Sequence, residues 1–138
     1  MRDSNDPAAV LELSAYAVKL GITCLSTAPD HAVFSMPFCP DNVTVGDIVH
    51  GGAILSLADV AATAAAWTTI AEPDRHRGLT ISLSHVFLSA ARSADLEAEA
   101  RVTRRGNSIC FVEVDIRNRE TGESVSRAAV VYKLSRHR

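Results

Sequence analysis

His50-Gly51-Gly52 opens a long run of small and apolar residues that continues to Ile70. The alanine content and length of that run predict a helix. A helix start carries unpaired N–H groups and a partial positive charge. Gly51 and Gly52 have no side chains to keep a ligand oxygen away from those groups. The arrangement suits an oxyanion hole, which stabilises charge developing on a carbonyl. A tight loop-to-helix turn would ask for the same two glycines. Asp59 is the only charged residue between His50 and Glu72. Burying a carboxylate is costly unless it is paired or hydrogen-bonded, and isolated acids of this kind cluster at active sites. Thr63 lies one turn further along the same face. Carboxylate and hydroxyl together can hold and activate a water. The competing reading is an acid satisfied in the core by backbone or by Thr63.

These residues need elements to position them. Asp6-Pro7 reads as a helix start, with Asp at the N-cap and Pro at the first helical position. Val10, Leu11, Leu13, Ala17, Val18 and Leu20 follow at helical spacing, and Gly21 stops the helix. Residues 22–28 and 31–37 read as strands about a Pro29-Asp30 turn. Phe38 to Ile48 has the composition of a loop. The helix from Gly51 to about Ile70 is apolar almost all round, which predicts burial. After a charged turn from Pro73 to Gly78, strands are expected over Leu79–Leu88, Asp95–Arg104, Ser108–Arg117 and Ser124–Leu134. Turns at 105–107 and 118–122 are of hairpin length. The order lacks βαβ alternation. It predicts an α+β fold, an antiparallel sheet wrapped around a long central helix.

Composition narrows the function. The 138 residues are 47% hydrophobic and 22% charged, ordinary globular values with a net charge of -2. That balance excludes a surface built wholly for nucleic acid. Residues 101–138 nevertheless carry nine basic against four acidic side chains. Such a segment suits either a phosphate-bearing small ligand or solvated strand faces, and the second reading is preferred. Cys24, Cys39 and Cys110 show no CxxC or metal-ligand spacing, so no metal is expected, and their odd number suits a reducing cytoplasm. The N-terminus lacks the layout of a signal peptide, and no apolar run reaches the ~20 residues of a membrane span. There is no GxSxG elbow, Walker A loop, GxGxxG or HExxH. With one Trp, two Tyr and four Phe, there is no aromatic platform for single-stranded nucleic acid.

The segment HGGAILSLADVAATAAAW resembles the signature of hotdog-fold acyl-CoA thioesterases, particularly those of the phenylacetic acid degradation (PaaI) type. GLTISLSHVFLSAARSADLEAEARV and RRGNSICFVEVDIRNRETGESVSRAAVVYKL resemble that family's strand meander. The similarity covers roughly residues 22–134. It implies one hotdog domain over 1–138, an extra N-terminal helix over 1–21 and the hotdog core over 22–134. It also implies hydrolysis of an aromatic or medium-chain acyl-CoA to free acid and coenzyme A, with no cofactor beyond the coenzyme A of the substrate.

By the same resemblance, the Gly51 N–H polarises the thioester carbonyl, and Asp59 acts as general base or attacks directly. Thr63 or Thr80 positions the water, and His50 orients the loop or the carbonyl. Gly52 is a substrate contact. Relatives usually carry Asn or Gln six residues before the histidine. Here that residue is Thr44, with Asn42 two residues earlier, so either one substitutes or the role is absent. Another departure is Ser89-Ala90-Ala91, where many relatives have a proline. Arg104 and Arg105 are candidates for the coenzyme A phosphates, with solvent-facing turn charges as the alternative.

Two rival functions remain. One is a non-catalytic acyl-CoA-binding hotdog protein. The other is a hotdog hydratase or dehydratase, for which His85 would be the histidine to consider, although it falls in no such motif. Assembly follows from spacing. Gly51 and Asp59 lie ~12 Å apart along one helix, while a carbonyl and its attacking water must approach to ~3–3.5 Å. Two chains with antiparallel helices can supply both groups to one substrate. A homodimer is therefore expected as the minimal unit, and a homotetramer as its pairing.

Overall fold

The computed structural model describes residues 14–137. Its elements are helix α1 (Ala15–Leu20), strands β1 (Thr23–Ala28) and β2 (His31–Met36), helix α2 (Gly51–Trp67), and strands β3 (His76–Phe87), β4 (Leu96–Arg105), β5 (Ile109–Asn118) and β6 (Ser124–Arg136). The six strands form one antiparallel sheet in the order β1-β2-β4-β5-β6-β3. The sheet packs on α2, which touches β2, β4, β5, β6 and β3. This is the hotdog architecture, α+β in class.

Period-two patterning produces the wrap. Ala98 and Ala100 of β4, Val112, Val114 and Ile116 of β5, and Ala128, Val130 and Tyr132 of β6 are buried. The alternate residues Glu97, Glu99, Arg101, Asp115 and Arg127 face outward, where Glu99 pairs with Arg101 and Arg117 and Asp115 pairs with Arg127. Side chains that alternate across a strand give a two-faced sheet. On α2, Ala58, Ala61, Ala62, Ala64, Ala65 and Ala66 are fully buried, so small side chains set a close approach of helix to sheet.

Gly21 ends α1 in the left-handed region at φ 71°, and a Cβ there would lie 2.8 Å from Cγ of Pro37. The expected start of this helix at Asp6-Pro7 lies outside the described residues. Three expected boundaries move. Helix α2 ends at Trp67 rather than Ile70, because the Thr68 hydroxyl and N–H both turn back to the Ala65 carbonyl. Strand β3 begins at His76, not Leu79, and β6 runs on to Arg136, since the polar residues 76–78 pair with 134–136. Charge marks a turn only where no neighbouring strand offers a ladder.

The expectation that α2 is buried all round is also corrected. Gly51, Gly52, Leu55, Ser56, Asp59, Val60, Thr63 and Trp67 are only half-buried. They form a stripe along the helix that its own sheet does not fully cover.

Candidate active site

The loop before α2 is tied down by backbone hydrogen bonds. The His50 N–H donates to the Asn42 carbonyl at 2.8 Å and the Val49 N–H to the Ala91 carbonyl at 2.9 Å. His50 then caps the helix: its Nδ1 accepts from the Gly52 N–H at 2.8 Å. The neutral ring therefore carries its proton on Nε2. A Cβ on Gly52 would lie 3.0 Å from that Nδ1, so a larger residue there would press on the capping ring. Gly52 turns its N–H to His50 rather than toward a ligand. The Gly51 N–H has no acceptor among the described residues. Gly51 lines an open cavity of about 420 Å³ with Thr44, Ile48, Ile54, Phe87 and Leu88 among its neighbours.

Thr44 thus reaches the Gly51 cavity. Asn42, in a short turn at Pro40–Asn42, gives its carbonyl to His50, and its buried Nδ2 has no partner among the described residues.

Asp59 stands on the half-covered stripe, two turns along α2. Its Oδ1 accepts from the Thr80 hydroxyl at 2.6 Å, and no other described group donates to its carboxylate. The competing reading, an Asp59 satisfied by Thr63, finds no hydrogen bond between the two among the described residues. Near Thr63, the Tyr132 hydroxyl accepts from Trp67 Nε1 at 2.9 Å. Burial pushes the Tyr132 phenol above its ordinary pKa and the Asp59 carboxylate adds to that rise, while the bond to Trp67 opposes it. Tyr132 lies opposite Thr80 in the β3–β6 ladder. Tyr132 and Trp67 were not among the sequence candidates. The available signal is parity: Tyr132 continues the inner-face series Ala128, Val130, and is its hydroxyl-bearing member.

The arginines separate. Arg105 donates to Asp30 at 2.8 Å and to the Ala66 carbonyl at 2.9 Å, and its Nη1 lies 3.3 Å from the Cys110 sulfur. It clasps the end of α2 to the β1–β2 turn. Arg104 is exposed and forms no ion pair among the described residues. No group of three or more metal-ligating side chains occurs among the described residues.

Comparison with known proteins fits this geometry. The family model described as Thioesterase superfamily matches residues 46–125. A protein of Deinococcus radiodurans is 30% identical over 108 residues, 78% of this chain and 66% of the relative, just under two thirds of its length. Human acyl-coenzyme A thioesterase 13 is 25% identical over 107 residues, 77% of this chain and 74% of the relative. Among solved structures, AziG of S. sahachiroi is 26% identical with a TM-score of 0.82, covering 91% of this chain and 99% of that one. The PaaI protein of E. coli, at 23% identity and a TM-score of 0.78, covers 91% of this chain and 94% of that one and shares the fold. Thioester hydrolysis is the chemistry for which the matched family is named. The chain belongs to the thioesterase superfamily.

Proposed function

We propose that the protein is an acyl-CoA thioesterase, releasing a free acid and coenzyme A from an aromatic or medium-chain acyl-CoA. The observation that carries this reading is the Asp59 carboxylate. It is the one acid of α2, it is half-exposed, and only one of its oxygens is engaged, by Thr80. The other is free to take a proton from water. The water oxygen bonds to the thioester carbon, the carbonyl becomes an oxyanion held by the Gly51 N–H, and collapse expels the coenzyme A thiolate, which is then protonated. Direct attack by Asp59 would pass through a mixed anhydride and give the same products. Thr80 fixes the carboxylate, and Thr63 lies one turn further along the helix. His50 positions the N-terminal turn rather than the proton. Arg104 is the proposed contact for the coenzyme A phosphates. These steps use water and the chain's own groups.

The same reading needs two copies, because Gly51 and Asp59 stand ~12 Å apart along one axis. Homodimeric sites shared across a two-fold, paired into a homotetramer, are part of the proposal. So is a cytoplasmic location, supported by the odd number and wide spacing of the cysteines. No helix among the described residues is long and apolar enough to cross a membrane. A dehydratase reading is disfavoured because both ring nitrogens of His85 are buried without a partner, so no acid pairs with it.

The test is coenzyme A release, followed with a thiol reagent. Asp59→Asn should keep fold and size while lowering turnover at least ~100-fold, a typical loss for a general base. Near wild-type turnover would overturn the assignment. Binding without hydrolysis by the wild type would favour the acyl-CoA-binding alternative.

A further inference from the structure

Strand β3 carries two aromatic rings at positions 85 and 87, on the sheet face that packs against α2. They stack with centroids 4.7 Å apart and planes 18° from parallel. Small residues lie opposite them on β6: Ala128 faces His85, and Ser126 faces Phe87. The neighbouring strand therefore leaves room for both rings. Phe87 reaches Gly51. Its Cζ lies 3.2 Å and its Cε1 3.5 Å from where a Cβ on Gly51 would sit. Phe87 also lines the cavity beside Gly51. Behind it, both nitrogens of His85 are buried and accept or donate no hydrogen bond, and the buried hydroxyl of Ser126 is equally unpartnered. A buried polar ring without partners contributes by shape alone, and at a cost an apolar ring would avoid.

We propose that His85 is a positioning residue: its ring locks Phe87 against Gly51, so that the Gly51 N–H is kept dry and aimed at the carbonyl oxygen. A fixed donor in a water-excluded site stabilises a developing oxyanion far better than a solvated one. The apolar ring of Phe87 supplies the exclusion, and the stacked imidazole prevents it from swinging into the open cavity. An offset aromatic stack is worth about 0.5–1.5 kcal/mol beyond the area it buries, enough to bias one ring position. This inference rests on the thioesterase reading for its kinetic consequence but not for its structural one.

The experiment compares His85→Leu, His85→Phe and Phe87→Leu with the double variant His85→Leu/Phe87→Leu. His85→Leu removes an unsatisfied buried ring, so its melting temperature should not fall. Its kcat should drop about tenfold, the equivalent of ~1.4 kcal/mol, with KM changed less than twofold. His85→Phe restores a stacking ring and should recover kcat. In the Phe87→Leu background, His85→Leu should have no further effect, since its action runs through Phe87. Additive losses, or a His85→Phe variant as slow as His85→Leu, would overturn the proposal.

A second readout needs no turnover. Water-exchange NMR on the Gly51 amide should show faster exchange in His85→Leu than in the wild type, and wild-type exchange in His85→Phe. Unchanged exchange in His85→Leu would overturn the lock whatever the enzyme hydrolyses. A wild type that hydrolyses no acyl-CoA yet shows the exchange difference would overturn the proposed function and leave the lock standing.

Discussion

The side chains around α2 divide their work by what each can no longer do. Arg105 has its guanidinium engaged by Asp30, the Ala66 carbonyl and Cys110, so it fastens the fold, whereas Arg104 keeps its donors. Arg104→Ala should raise KM for acyl-CoA but not for a short acyl-pantetheine, which lacks the nucleotide phosphates. An equal effect on both substrates would remove Arg104 from the phosphate site. Arg105→Ala should leave both KM values alone and cost about 1–3 kcal/mol in chemical denaturation, since partners are left unsatisfied.

His85 makes a further residue-scale prediction. Desolvation holds its folded pKa below the ordinary 6.5. Burial alone causes this shift, and the residue opposite His85 on β6 is the uncharged Ala128. The unfolded chain binds this proton more readily, so stability is lost as pH falls through about 6.5 and below. His85→Leu should flatten that part of the stability–pH curve, read by denaturant melts between pH 5 and 7.5. Little of this was legible in the sequence. The glycines and Asp59 stand out by type and spacing, and Thr80 is recognisable through family resemblance. The Asp59–Thr80 bond, the Tyr132–Trp67 bond and the His85–Phe87 stack depend on how the sheet curves over the helix.

At the scale of elements, α2 is a helix specified by small size rather than by an amphipathic stripe. Ala61 has no exposed surface and lies beneath the sheet. Ala61→Leu should destabilise the protein by about 1–3 kcal/mol through overpacking, measured by urea unfolding, with secondary structure retained. A neutral result would mean the helix–sheet gap can widen freely. The element order was legible because α2 is long and alanine-rich and the later strands alternate with period two. The Gly21 stop was legible too, since the left-handed cap favours glycine. The ends of α2, β3 and β6 were not, because a ladder partner or a capping hydroxyl decides them from outside the segment. The single-sided exposure of α2 was hidden for a related reason: the half-covered stripe carries Leu55, Val60 and Trp67 beside its polar residues, so hydrophobicity does not separate it from the alanine-rich buried face.

At the scale of the whole molecule, the shared site can be tested by mixing two defective chains. Gly51 is the first residue of α2 and follows an extended His50 at φ -60° and ψ 133°. Proline is tolerated in that position and removes the N–H, although Phe87 must yield a few tenths of an ångström. In a heterodimer of Gly51→Pro with Asp59→Asn, one site carries both defects and the other neither. Two inactive proteins should then regain up to about half the wild-type activity. Verified heterodimers that stay inactive, or an active monomer by light scattering, would refute the cross-chain site.

Strand β3 lies at an edge of the sheet, and Leu79, Ile81, Val86, Phe87 and the adjoining Leu88 are each at least half exposed. A long apolar edge of this kind is a template for any extended chain that meets it. During synthesis or at high dilution, correct pairing must outrun mispairing, aggregation and proteolysis. Polar substitutions at Leu79 or Ile81, whose side chains are exposed on either side of Thr80, would therefore be felt first as reduced accumulation in the cell. The molecules that do assemble would still turn over at the normal rate.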